Sequence, residues 1–384
     1  MKFFTEEQSL DVLKDLVAIK SDNDNELKVA SYLKDLLAKY DIESEIKIIR
    51  GNRANLVAEI GHGKPVLGIS GHMDVVAAGN LDDWDSNPYQ LTEKDGQLYG
   101  RGATDMKSGL AALVITMIEL HHQGLPKQGT IRLMATMGEE VGEEGSSYFL
   151  EDGSMDDVDG LVIGEPSGYN IGYAEKGSMD IKFISKGKAS HSSMPEKGFN
   201  AIDPLMNLLI DANNTFRDEN IKHDSIGPLI FNTTLINGGT QVNSIPDHAE
   251  AEINARTIPE YDNQKVIEVL NDLIKKYNDQ GAQISFDAYM NESPVLMDPK
   301  NALVAPMKKL MEQYTDEEVH VTPISAVTDA SNLVQKKPND LPFLIAGPGN
   351  DTPHQINEHV DKQMYLNFID IYEKLFIDFL DNAK

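Results

Sequence analysis

Residues 66–74 read Val-Leu-Gly-Ile-Ser-Gly-His-Met-Asp, an apolar run that stops at two small residues and gives way to a polar pair. A short apolar run of this kind marks a buried strand, and a buried strand closing on histidine and aspartate constrains the fold more than any other stretch. His72 and Asp74 stand at i and i+2, so in extended backbone both side chains leave the same face. A neutral imidazole binds a divalent metal through one nitrogen while an acceptor orients the other. Taken alone, the pair could equally cap a loop. Two further apolar runs end in a similar way, however: residues 131–136 lead to Glu139-Glu140 in a glycine-rich loop, and residues 161–163 to Glu165-Pro166. Three strands that each deliver a histidine or acid at the C-terminal end describe the ligand crevice of an open α/β sheet.

The rest of the chain is organised around that sheet. Thr5 and Gln8 form a capping box ahead of a helix with Leu10, Leu13, Leu16 and Val17 on one side. A second amphipathic helix is expected over 24–40, strands over 42–49 and 56–60, a hairpin turn at Asp95-Gly96, and a long helix from Lys107 to Leu120. From Ser178 the pattern changes to strand (179–185), helix (201–216), strand (229–235), strand (249–256), helix (265–277) and strand (283–289). That is the β-α-β-β-α-β order of a ferredoxin-like unit. It reads as an insertion, because the α/β pattern resumes with a helix (303–311), a strand (341–346) and a final helix (363–379). The expected fold is an α/β catalytic domain with a mixed central sheet flanked by helices (1–176 and 292–384), carrying an inserted ferredoxin-like α+β domain (177–291). A chain of 384 residues exceeds the usual single core, in keeping with this division.

Composition excludes several classes of function. With 34 basic against 62 acidic residues, the net charge of −28 argues against nucleic acid or an anionic membrane as partner. No run of about eighteen apolar residues could span a bilayer, and no signal peptide is expected. The absence of cysteine rules out disulfides, thiolate nucleophiles and sulfur-ligated metal, and fits a reducing, cytoplasmic location. Gly68-x-Ser70 fails the nucleophile-elbow pattern at its last position, and Gly100-x-Gly102 lacks the third glycine of a dinucleotide loop.

What remains is a set of nitrogen and oxygen donors: His72, Asp105, Glu140, Glu165 and His354. They suit zinc, with cobalt or manganese also possible. Two histidines and three carboxylates are more than one tetrahedral metal uses, and they suit a pair of divalent ions sharing a carboxylate. Glu139 is then left beside ligand Glu140 as a general base. Arg256 ends a strand of the inserted domain, where its guanidinium could grip a substrate carboxylate or form a surface ion pair.

Six motifs occur in order: Ser70-Gly71-His72-Met73-Asp74, residues 100–107, Glu139-Glu140, Gly164-Glu165-Pro166, His191-Ser192-Ser193-Met194-Pro195, and residues 353–358. In this the chain resembles the co-catalytic zinc aminoacylase and peptidase family M20 over nearly its whole length, most of all its Gram-positive succinyl-diaminopimelate desuccinylase branch. The resemblance implies a zinc-exopeptidase-like catalytic fold, with His72 and Glu165 on one metal, Glu140 and His354 on the other, and Asp105 bridging. It also implies that Asp74 orients His72 and that Glu139 carries the proton from water to the leaving amine. His191 would reach a partner subunit's active site to stabilise the oxyanion, making a homodimer through the inserted domain functional. Asn243, Thr328 and Asn350 match positions lining the substrate pocket, and the resemblance favours the carboxylate grip for Arg256. The expected reaction is hydrolysis of N-succinyl-L,L-2,6-diaminopimelate to succinate and L,L-diaminopimelate. One departure counts: where many proteobacterial desuccinylases carry an arginine pair entering the inserted domain, this chain reads Glu175-Lys176-Gly177-Ser178, so the diaminopimelate end is bound differently or the substrate is another N-acyl amino acid. The rivals are acetylornithine deacetylase, a metallo-dipeptidase or carboxypeptidase, and a metal-free binding protein on the same fold.

Overall fold

A computed structural model describes residues 2–382. Its main elements begin with α1 (Glu6–Ala18), α2 (Glu26–Ala38), β1 (Ser44–Arg50), β2 (Arg53–His62), β3 (Val66–His72), β4 (Thr92–Lys94), β5 (Gln97–Tyr99) and α3 (Lys107–His122). Next come β6 (Gly129–Thr136), α4 (Glu144–Glu151), β7 (Gly160–Pro166), β8 (Ile171–Glu175), β9 (Gly177–Lys186), α5 (Ile202–Phe216), β10 (Ile230–Gly238) and β11 (His248–Thr257). The chain closes with α6 (Asn263–Asn278), β12 (Ile284–Glu292), α7 (Val304–Met311), β13 (Phe343–Gly347), β14 (His359–Asp361) and α8 (Lys362–Asn382). It divides into two compact units. One comprises the chain up to Tyr173, Met297–Pro323 and the chain from Thr328 onward; the other comprises Ala174–Leu296 and Ile324–Val327.

In the first unit the central sheet runs β1-β2-β6-β3-β7-β13-β8. β2 is antiparallel to β1 and β6, whereas β6, β3, β7 and β13 are parallel, so the sheet is mixed as expected. The register sets His72 beside Thr136, and the C-terminal ends of β3, β6 and β7 therefore open along one edge. Helix α3 is buried from Lys107 to Leu120. A helix apolar on every side belongs inside the molecule, and α3 packs against β3 and α8. Two fully buried tyrosines of α8 satisfy their hydroxyls on backbone: Tyr372 donates to the Ala346 carbonyl at 2.6 Å and Tyr365 to that of Ser9 at 2.7 Å. A small second sheet has the order β14-β5-β4. The β4–β5 hairpin turns at Asp95-Gly96 with φ of 53° and 79°, the positive pair a type I′ turn requires.

The second unit is a four-stranded antiparallel sheet in the order β10-β11-β9-β12. Alternate residues of β9 and β11 are buried, the period of a sheet with one covered face, and α5 and α6 pack against it. The mixed sheet and the separate antiparallel sheet expected from the sequence are both present. The return of 324–327 to the second unit has no counterpart in the sequence pattern.

Candidate metal centre

His72, the last residue of β3, is wholly buried. Its Nδ1 lies 2.9 Å from the backbone carbonyl of Asp74 and 3.7 Å from the Asp74 carboxylate. The carbonyl, not the carboxylate, is thus the nearer acceptor that orients the ring, and it places the proton on Nδ1. The Asp74 carboxylate accepts instead from the backbone N–H of Glu139 at 3.3 Å and of Glu140 at 3.2 Å. Having the strand end and the Glu139–Val141 turn meet at one buried acid couples two segments that carry candidate ligands.

That turn is shaped from β2. Asn55, fully buried, accepts from the Met137 N–H at 3.0 Å and donates to the Gly145 carbonyl at 2.8 Å. Gly138 opens the turn with φ 69°, and a Cβ there would lie 2.0 Å from the Arg53 guanidinium; Arg53 itself pairs with Glu26 at 3.2 Å. Glycine takes this position without strain, whereas any side chain would have to displace the Arg53 guanidinium.

The free nitrogen of His72, Nε2, faces Asp105 Oδ1 at 3.0 Å and Glu165 Oε1 at 3.7 Å. The other oxygen of Asp105 faces His354 Nε2 at 3.3 Å, and His354 Nε2 lies 2.9 Å from Glu140 Oε2. His354 sits in a left-handed conformation, φ 63°, which histidine tolerates better than most residues. A lone-pair nitrogen against a carboxylate is stable only with a proton or a cation between them. Accordingly, burial opposes charge on His72, yet Glu165 and Asp105 outweigh it and hold the imidazole well above its ordinary range. Hydrogen bonds to Asp105 and Glu140 lift His354 to about 10. Burial pushes Glu139, Glu140 and Glu165 upward, while the two imidazoles overcome burial at Asp105 and hold it below the usual carboxylate range.

The donor set fits metal. Ligand atoms of His72, Asp105 and Glu140 lie within 4.8 Å of one another. Glu140 Oε1 and Glu165 Oε1 are buried with no hydrogen-bond partner among the described residues, a costly arrangement unless a cation completes it. A model of peptidase family M20/M25/M40 matches residues 68–378, the segment that holds all five candidate ligands. The chain belongs to peptidase family M20. Among its relatives, a Staphylococcus aureus protein named probable succinyl-diaminopimelate desuccinylase is 43% identical over 406 aligned positions, covering 99% of each chain. This M20 chain also shares its fold with a family metallo-carboxypeptidase from Sulfolobus solfataricus (TM-score 0.79, 19% identity, covering 97% of this chain and 98% of that one). A third likeness is to a Bacillus subtilis protein described as a dinuclear metal binding peptidase (TM-score 0.72, 19% identity, covering 98% and 99%). It is an M20 metallohydrolase, and among the described residues no helix is long and apolar enough to cross a membrane.

The other sequence candidates fall in two groups. In the first unit, Thr328 is buried and accepts from the Ala330 N–H at 3.2 Å. Asn350 is engaged within its own loop, donating to the His359 carbonyl at 2.8 Å and accepting from the Thr352 N–H at 2.9 Å. In the second unit, the His191 and Asn243 segments are joined by a bond from the Ser192 N–H to the Asn243 carbonyl at 3.0 Å. His191 is exposed, with Nδ1 2.8 Å from the Ser193 hydroxyl. Arg256 pairs in register with Ser178; burial first, and the nearby Arg256 charge second, hold Lys176 below the ordinary lysine range, and the lysine Nζ donates to the Pro228 carbonyl at 2.6 Å. Sequence reasoning missed Asp329, which is wholly buried and accepts from the Thr136 hydroxyl at 2.5 Å. Burial pushes its carboxyl up to about 6. No periodicity or motif marks it; it lies near the centre only because Thr136 pairs with His72.

Proposed function

We propose that this chain is a two-metal amidohydrolase that removes the acyl group from an N-acyl amino acid, N-succinyl-L,L-2,6-diaminopimelate foremost. The observation that carries the reading is Asp105, whose two oxygens face two different imidazoles, His72 at 3.0 Å and His354 at 3.3 Å. A carboxylate so placed suits a bridge, with His72 and Glu165 holding one ion and Glu140 and His354 the other. Bound there, two divalent cations, zinc foremost, would supply polarisation of the scissile carbonyl and acidification of an attacking water.

The remaining chemistry belongs to side chains. The Glu139 carboxylate forms no hydrogen bond or ion pair among the described residues. Its raised affinity for a proton suits a group that takes one from water and returns it to the departing amine nitrogen, work worth about 10² to 10⁴ in rate. Arg256, with Asn243, Thr328 and Asn350, is assigned to the substrate's carboxylate and amide groups, and His191 to the developing oxyanion. Identity of 43% to a protein named probable succinyl-diaminopimelate desuccinylase supports this substrate ahead of other acylated amino acids. A homodimer through the second unit is part of the proposal: edge strand β10 and helix α5 expose Leu235, Ile236, Met206 and Ile210.

Metal analysis and a panel of N-succinyl-L,L-diaminopimelate, N-acetylornithine and dipeptides, each with added Zn(II) or Co(II), test the reading. Fastest turnover of the succinyl compound is expected. Hydrolysis of dipeptides with none of the succinyl compound would discard that substrate and keep the metallohydrolase.

A further inference from the structure

Glu358 is wholly buried and has no place in the chemistry above. Its Oε1 accepts from the backbone N–H groups of Thr104 and Asp105, each at 2.9 Å. Its Oε2 accepts from the Gly102 N–H at 3.1 Å and from the guanidinium of Arg101. Its backbone carbonyl accepts from the Gly100 N–H at 3.0 Å, extending the β5–β14 ladder by one rung. Both carboxylate oxygens are thus saturated, and three of their four donors come from the backbone segment that ends at Asp105. Arg101, also buried, packs over the Trp84 ring at 5.2 Å and directs its second nitrogen at the His354 carbonyl, 3.4 Å away.

We infer that Glu358 is the positioning residue of the metal centre: it sets the backbone of Asp105 and, through Arg101, that of His354, so that one buried carboxylate holds both halves of the donor set in register. This rests on the two-metal reading. The reason is one of valence. Converging N–H groups need an acceptor on each side, and a carboxylate offers two where an amide offers one. Glutamine at this position would turn an NH₂ toward either the Thr104–Asp105 pair or the Gly102–Arg101 pair, and that pair would lose its acceptor.

The test is titration of metal-free protein with Zn(II) against a chromophoric chelator, together with the visible spectrum of the Co(II) form. Glu358→Gln is expected to bind both ions about 10- to 100-fold more weakly, as substitutions behind metal ligands do, and to alter the Co(II) bands. Its metal-free form should melt below metal-free wild type, because a buried donor pair has lost its acceptor, while staying folded at the temperature of the titration. Two ions bound with wild-type affinity and an unchanged spectrum would overturn the inference, as would weakening at one site alone. Should Glu358→Gln not fold, Arg101→Lys takes its place: it keeps the positive charge beside Glu358 and gives up the branch to His354. A smaller loss with altered Co(II) bands is expected there, and no change would overturn the inference. Wild-type protein that binds no metal would sink the two-metal reading itself, and this inference with it.

Discussion

Glu139 and Glu140 are adjacent, yet their surroundings separate their tasks. Glu140 is 2.9 Å from His354 through one oxygen and has the other buried without a hydrogen-bond partner among the described residues, whereas the Glu139 carboxylate forms no hydrogen bond among them and feels His72 only through its charge. Glu139→Ala should therefore retain both ions and lose about 10² to 10⁴ of turnover, while Glu140→Ala should lose one ion on metal analysis. Near-normal turnover of Glu139→Ala would refute the base assignment. Asp329 supplies a pH-dependent case. Its folded value of about 6 stands above the ordinary 3.8, so its contribution to stability is complete below about 4 and is lost as pH rises through about 6. At neutral pH this amounts to about 2 to 3 kcal/mol. Asparagine keeps the acceptor for Thr136 without the charge. Metal-free Asp329→Asn should gain on metal-free wild type in thermal melts between about pH 4 and pH 7; an equal difference at both would show that the buried charge carries no penalty. The five candidate ligands stand out in the sequence because each ends an apolar run or sits in an ordered motif, and the structure brings them together. Asp329 and Asn55 do not stand out, because what matters in them is a partner more than eighty residues away.

At the scale of elements, reading the sequence worked where period and burial coincide. In the second unit β9 and β11 alternate buried and less buried residues and α5 and α6 show helical spacing, and α3 stands out because it is enclosed. The short strands β5 and β14 have no such period, since three residues cannot show one, yet their pairing brings the Asp105 and His354 loops together. The turn after β6 makes a further prediction, because Gly138 combines positive φ with an arginine where a Cβ would go. Gly138→Ala should destabilise the chain by about 1 to 3 kcal/mol, push Arg53 off Glu26, and shift Glu139 and Glu140 off Asp74. Reduced metal stoichiometry together with a lower melting temperature is the expected pair of results. Full occupancy with normal turnover would show that the turn does not set the centre.

For the whole molecule, sequence composition excluded partners better than it identified them. A charge of −28 disfavours polyanions, whereas nothing in the composition points to a substrate. Edge strand β10 leaves unpaired backbone groups flanked by Leu235 and Ile236, 54% and 57% exposed, and an open apolar edge of this kind invites a second strand. Leu235→Lys with Ile236→Lys should turn a dimer into a monomer by light scattering, with metal content unchanged; a monomeric wild type would remove the proposed role of His191 in a partner's site. One further property follows from Trp84, the single tryptophan of the chain, seated over Arg101. The molecule carries a built-in fluorophore against the Arg101–Glu358 pair beside the candidate metal centre, and its emission can follow that pair in real time with no label attached.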